Sequence, residues 1–260
     1  MVLKGVAKAT PFFFLFCYNS RMNTNEQLIA LLKKDGYLKN PVIIEAFKNV
    51  DRRDFVLEAF KDKAYLNEPF LIGNGQTISQ PLVVAFMLEL LDLKMGERVL
   101  EIGTGSGWKT ALMAYILTHL KREIEQKAEF SGNEDKTHKE IITQNELTSI
   151  SYSVISVERI EELQKFAKEN LAKYEFEKQG IVRLVLGDGS LGCKEFEPYD
   201  KIIAAASAEE IPQAWLEQLK IGGKIIAPIK NSIVAVEKKS KDTYDKKEYF
   251  GFSFVPLIKD

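Results

Sequence analysis

Residues 98–114, RVLEIGTGSGWKTALMA, restrict the fold of this chain more than any other stretch. A short apolar run meets three glycines at alternate positions, Gly103, Gly105 and Gly107, and good helix formers follow at once. The pattern predicts a strand passing through a tight turn into a helix, the ligand-binding end of a doubly wound α/β fold. Without Cβ atoms the backbone can turn sharply, and a ligand can lie almost against the main chain. A strand-to-helix turn with no ligand would use the same residues.

Spacing and charge narrow the ligand. The dinucleotide fingerprint puts a third glycine at position 108 for close helix packing, and Trp108 stands there instead. A pyrophosphate at the helix N-terminus would also be repelled by the carboxylate of Glu101 just ahead of the loop. Glu101 suits a cationic ligand better. S-adenosylmethionine carries a sulfonium and an ammonium and no phosphate, so E-x-G-x-G-x-G reads as its cradle.

Composition removes several function classes. Thirty-six basic residues against 37 acidic ones leave a net charge of −1 over 260 residues, so no basic field points to nucleic acid and no surface bias to a membrane. Two cysteines far apart, Cys17 and Cys193, and two histidines, His119 and His138, give no disulfide framework, no metal-ligand spacing and no histidine triad. We expect a reducing, cytoplasmic setting, no metal and a monomer. Residues 1–21 carry Lys4 and Lys8 before the run Phe12 to Tyr18, too short to span a bilayer and lacking a small-x-small cleavage site. They are expected to be a disordered extension or to lie upstream of the working start at Met22.

The remainder, 22–260, reads as one domain: helices and a substrate loop over 22–92, a cofactor-binding sheet core over 93–260, and a polar insertion at 121–149. Thr24 with Gln27 marks a capped first helix, Pro41 opens a second, and Phe55 to Phe60 a short third. These should pack against the main sheet as a cap. Residues 64–80 hold Pro69, Gly73, Asn74 and Gly75 and predict an irregular loop, followed by a helix from Pro81. Ser79 is read locally as a helix cap; its setting beside Gln76 and Thr77, just before the cofactor strand, argues for more.

With 121–149 set aside, residues 151–160 form the next strand, ending in Glu158. An acidic residue at the tip of the second strand accepts hydrogen bonds from ribose hydroxyls, although a surface glutamate opening a helix would look the same. Val182 to Leu186 predicts a third strand, and the turn after it holds Asp188, either a turn residue or a partner for adenine. A fourth strand over 199–207, a helix over 209–219 and strands at 224–229, 232–238 and 247–257 complete a mostly parallel, seven-stranded Rossmann-like sheet with an N-terminal helical cap.

Several segments together resemble the protein-L-isoaspartate O-methyltransferases: PFLIGNGQTISQP, VLEIGTGSGWKTALMA, VISVERI, LGDGSLG, YDKIIAAA with EEIPQAWLEQLKIGGKIIAPI, and FVPL at 254–257. The glycine loop indicates only a broad methyltransferase class, whereas GNGQTISQP is far more specific. The resemblance implies that Ser79 matches the active-site serine, with Thr77 and Ile78 beside the substrate backbone. It matches Glu101, Gly103, Gly105 and Gly107 to the cofactor loop, Glu158 to the ribose carboxylate, and Asp188 with Gly189 to the adenine end. It further implies S-adenosylmethionine as cofactor and isoaspartyl proteins or peptides as partners, methylated on the free α-carboxylate to begin repair. Three departures stand out: Leu82 replaces a histidine often found after ISQP, Ser207 replaces a proline often found after AAA, and 121–149 is inserted.

The chemistry agrees with that reading. A carboxylate is already ionised at neutral pH and needs no strong base, which suits a chain so poor in histidine. Two other readings share these motifs: a methyltransferase acting on another peptide carboxylate, and a catalytically idle S-adenosylmethionine-binding module.

Overall fold

The computed structural model describes residues 22–130 and 153–258, with the side chains of 123–130 left aside. The expectations for residues 1–21 and for most of the 121–149 insertion fall outside the described residues.

The chain begins with α1 (Asn25–Lys34) and α2 (Pro41–Asn49). Thr24 caps α1 by accepting from the Gln27 amide, and Asn40 caps α2 ahead of Pro41. Two short 3-10 turns, Arg52–Phe55 and Glu58–Lys63, replace the single short helix expected near Phe55. Next comes a hairpin, β1 (Phe70–Gly73) and β2 (Gln76–Ile78), where an irregular loop was expected. Asn74 and Gly75, both at positive φ, make the tight turn that lets Phe70 pair with Ile78. The helix α3 (Pro81–Leu91) leads into β3 (Val99–Ile102), the glycine loop and α4 (Trp108–Phe130). α4 runs through residues 121–130, which were expected to open the insertion; that stretch is rich in Lys, Glu, Gln and Ala, all good helix formers.

The core then continues through β4 (Val154–Glu158), α5 (Glu161–Ala172), β5 (Val182–Leu186) and β6 (Tyr199–Ala204). It ends with α6 (Gln213–Gln218), β7 (Leu219–Ile229), β8 (Ser232–Lys238) and β9 (Tyr244–Phe250). α6 is shorter than the expected 209–219 helix, because Pro212 precedes it and Leu219 already belongs to β7. The last strand stops at Phe250 rather than at Leu257, because Gly251, at φ +96°, turns the chain out of the sheet.

The seven strands lie in the order β5-β4-β3-β6-β7-β8-β9, parallel from β5 to β7 and antiparallel beyond. This is the doubly wound, Rossmann-like sheet expected from the sequence. β3 and β4 are buried along their whole length, so successive side chains feed two cores. Val99, Val154, Val182 and Ile203 face the helices α1 to α5. Leu100, Ile155, Ile202 and Ile225 face a thinner layer built on Trp215 of α6. The N-terminal helices rest chiefly on α3 and α4 rather than on the sheet itself, with Phe47 edge-on to Trp108 at 5.5 Å between centroids. Chain direction across the sheet reverses between β3 and β6, and at such a switch point the strand ends part to leave a crevice.

Candidate active site

A cavity of about 400 Å³ opens at that crevice, a size that suits a small-molecule ligand. Its floor comes from the carboxyl ends of four strands: Ile102 and Gly103 after β3, Val157 and Glu158 of β4, Gly189 after β5, and Ala205 and Ala206 after β6. Gln76, Thr77 and Ser79 of the hairpin form one wall, and residues 253–258 form another. Ser79, Thr77, Gly103, Gly105, Glu158 and Gly189 are thus brought to one cavity. Ile78 and Glu101 border a smaller recess of about 40 Å³ next to it, while Gly107 and Asp188 line neither.

The hairpin is held from below by Arg52, which is fully buried. Its guanidinium donates to the carbonyls of Ala64 (2.7 Å), Leu66 (3.2 Å), Glu68 (2.8 Å) and Ser79 (3.1 Å), and lies 5.2 Å from the centroids of Phe70 and Trp108. Burial pulls its pKa down to about 9, opposed by Glu68, so it stays charged at neutral pH. Asn67 adds a second tie, accepting from the Leu82 amide through its side chain and from Gln80 through its carbonyl. The Ser79 hydroxyl makes no hydrogen bond among the described residues, and the N-cap of α3 is Gln80, so Ser79 is not the cap of that helix. Its side chain lines the cavity instead.

Glu158 shapes the glycine loop. Its carboxylate accepts from the amides of Gly105 (2.9 Å), Arg159 (3.0 Å) and Ile160 (3.1 Å). Gly107 has a packing role: at φ +89°, an added Cβ would lie 3.3 Å from Leu171 and 3.4 Å from Ala167, so α5 packs where a side chain would stand. The close approach that the dinucleotide pattern assigns to position 108 is made here one residue earlier, and Trp108 is free to pack on the cap. Gly189 is equally constrained, since a Cβ there would sit 2.5 Å from Ile102 Cγ2, and Trp215 Nε1 donates to its carbonyl. Asp188 caps the turn, accepting from the amide and hydroxyl of Ser190.

Glu101 borders the recess through a carboxylate that the protein itself holds in place. It is fully buried, with Oε2 accepting from Thr110 Oγ1 and from Ser156 Oγ (2.7 Å), and Oε1 lies 3.6 Å from Lys109 Nζ. Burial pushes its carboxyl pKa up while Lys109 holds it down; burial pushes the ammonium of Lys109 down while Glu101 holds it up. Each member is the other's counter-ion, set against a burial that disfavours both charges.

Sequence reasoning did not find the wall of residues 253–258, nor Lys109 and Arg52. FVPL pointed toward the wall without giving it a role, and Lys109 stood inside the glycine motif as an ordinary helix residue. The two substitutions on the substrate side now have places. Leu82 is fully buried in the apolar core and does not reach the cavity. The Ser207 amide, which a proline would lack, donates to Val255 (2.8 Å), and the Ser207 carbonyl accepts from Leu257 (2.7 Å).

The donor set fits S-adenosylmethionine. A carboxylate stands at the tip of the second strand, glycines floor the cavity, apolar Ile160 and Leu163 flank it, and two buried charges border the recess. Among the described residues no cluster of three or more metal-ligand side chains occurs, and no helix is long and apolar enough to cross a membrane.

Comparisons with known proteins agree on one kinship. Residues 23–260 match the family model described as protein-L-isoaspartate(D-aspartate) O-methyltransferase. A protein-L-isoaspartate O-methyltransferase of Methanopyrus kandleri is 37% identical over 237 residues, covering 90% of both chains. Protein-L-isoaspartate O-methyltransferase 1 of Archaeoglobus fulgidus is 42% identical over 232 residues, covering 89% of this chain and 92% of its own. Among solved structures, a putative protein-L-isoaspartate O-methyltransferase from Plasmodium falciparum, in complex with S-adenosyl-L-homocysteine, aligns with a TM-score of 0.73 at 26% identity. That alignment covers 92% of this chain and all of the other.

Proposed function

The chain belongs to the protein-L-isoaspartate(D-aspartate) O-methyltransferase family, and from that premise we propose how its cavity carries out the reaction. The enzyme transfers a methyl group from S-adenosylmethionine to the free α-carboxylate of L-isoaspartyl residues. The observation that carries our reading is the meeting of the glycine loop and the Gln76–Ser79 segment at one cavity. Gly103, Gly105 and Gly189 offer backbone to the cofactor, Glu158 its carboxylate to the ribose, and Glu101 its buried charge to the cationic end. Gly107 and Asp188 act from behind, Gly107 by seating the loop on α5 and Asp188 by holding the turn that presents Gly189.

S-adenosylmethionine, when bound, supplies an electrophilic methyl on a sulfonium. The chain's own task is placement. Thr77 and Ile78 lie along the substrate backbone, and the Ser79 hydroxyl orients the isoaspartyl carboxylate without becoming a covalent nucleophile. No base is needed, because the attacking carboxylate is ionised at neutral pH. Opposite charges cancel in the transition state, so excluding water and fixing the angle of approach supply most of the acceleration. The methyl ester then undergoes attack by the following backbone nitrogen, releasing methanol and closing a succinimide that reopens partly as normal aspartate.

We read 22–260 as one catalytic unit that works as a cytoplasmic monomer on proteins and peptides, without nucleic acid or membrane. Residues 1–21 are an extension of that unit, and the 121–149 insertion, whose opening residues prolong α4, lies within it.

Methanol release from methyl-labelled S-adenosylmethionine, with matched aspartyl and isoaspartyl peptides, tests the assignment. Signal is expected from the isoaspartyl peptide alone, and equal signal from both would overturn it. Ser79→Ala should lower kcat/KM by about tenfold to a hundredfold, the usual effect of losing orientation, with cofactor affinity unchanged. Full activity in that variant would remove Ser79 from the mechanism.

A further inference from the structure

Three buried polar atoms without a hydrogen-bond partner among the described residues belong to residues around one small recess: Glu101 Oε1, Lys109 Nζ and Trp108 Nε1. Unpaired buried groups are costly, and a charged one more so. Lys109 is 8% exposed and Glu101 0%, and their charged atoms stand 3.6 Å apart, close enough to attract but beyond hydrogen-bond length. Each therefore keeps hydrogen-bonding capacity that its partner does not use. The recess of about 40 Å³ has room for about two or three waters, and it shares Thr77, Ser79, Gly103, Gly105 and Ala205 with the main cavity.

A neighbouring carboxylate and ammonium, both unsatisfied and facing one space, complement a ligand that carries the same two charges in the opposite order. We propose that Lys109 is the residue that holds the carboxylate of the cofactor's amino-acid end, with Glu101 Oε1 beside it taking the ammonium. The substrate carboxylate is the poorer match, since it would satisfy Lys109 alone and be repelled by Glu101. This rests on the cofactor reading above and adds to it a residue, Lys109, and a division of labour. It also accounts for the presence of a lysine on the inner face of the first turn of α4, where a cation opposes the helix dipole and gains nothing from the helix itself.

The test is calorimetric titration of the full chain with three ligands: S-adenosylhomocysteine, its decarboxylated analogue and 5′-methylthioadenosine, which lacks the amino-acid end. Wild type should bind S-adenosylhomocysteine about tenfold to a hundredfold tighter than the decarboxylated analogue, the worth of one charge-assisted hydrogen bond. Lys109→Met should erase that preference while leaving 5′-methylthioadenosine within about twofold. Since that variant leaves Glu101 buried without its counter-ion, the double variant Glu101→Gln/Lys109→Met is the control for folding. It should melt near wild type and still show no preference for the carboxylate. A preference that survives in either variant, or equal weakening toward all three ligands, would overturn the role of Lys109. Wild type that bound none of the three would overturn the cofactor reading beneath it.

Discussion

Arg52 shows what one residue does in this enzyme. A fully buried guanidinium with four carbonyl acceptors and two aromatic faces is a joint, and one of its acceptors is the carbonyl of Ser79. Lysine keeps the charge but cannot spread five donors in a plane. Arg52→Lys should therefore cost about 2–4 kcal/mol of stability, from carbonyls left without partners, as read by chemical denaturation. The same variant should raise KM for the isoaspartyl peptide more than the dissociation constant of S-adenosylhomocysteine, because the displaced carbonyls belong to the substrate side. Nothing local in the sequence marks Arg52, which in DRRDF stands beside Asp51, Arg53 and Asp54 as one charged residue among several. Its burial follows from segment 64–79 folding over it.

The element that most changes the picture of the site is the segment after β9. Periodicity extends that strand to Leu257, because FSFVPL is apolar enough to continue it. The turn at Gly251 instead sends residues 253–258 to the wall of the cavity, where Ser207 pairs with both Val255 and Leu257. This seam joins the end of the chain to the loop after β6. Ser207→Pro deletes one of the two hydrogen bonds, a loss of about 1 kcal/mol, and should raise KM for the peptide about fivefold with little change in cofactor affinity. Steady-state kinetics with the isoaspartyl peptide reads that change directly. The exposed, charged face of β9 has a separate role: Asp245, Lys246, Lys247 and Glu248 blunt a sheet edge that would otherwise pair with another chain.

At the scale of the whole molecule, phenols bonded to carboxylates brace the helical cap: Tyr174, just beyond α5, ties it to the sheet core, and Tyr65 ties Asp51 to the segment leading into the hairpin. Tyr65 donates to Asp51 at 3.0 Å, and Tyr174 donates to Asp54 at 2.8 Å while accepting from the Asp51 amide at 3.0 Å. Burial and the adjacent aspartate push the Tyr65 pKa up to about 12, and burial with Asp54 pushes that of Tyr174 higher still. Both values lie above that of an unfolded tyrosine, so the folded state holds the phenolic proton more tightly. The stabilisation is complete below about pH 10 and is lost as pH rises through about 12. Melting temperature should fall across that window, and the fall should be shallower in Tyr65→Phe, measured by circular dichroism against pH. A melting temperature independent of pH from about 9 to about 12 would count against this tie.

The sequence by itself determined whatever depends on a local pattern: the strand, glycine turn and helix at 98–114, the parallel order of the early strands, and the family signal in GNGQTISQP. These survive translation into three dimensions because backbone geometry and alternating burial act over a few residues. Tertiary structure alone decided which groups meet. Glu101 read as a charge offered to a ligand, and folding gave it Lys109, Thr110 and Ser156 as partners. Ser79 read first as a cap, and folding left its hydroxyl without an internal partner at the cavity wall. Hydrogen-bond satisfaction and desolvation depend on neighbours brought from dozens of residues away, and no local pattern in the chain encodes them.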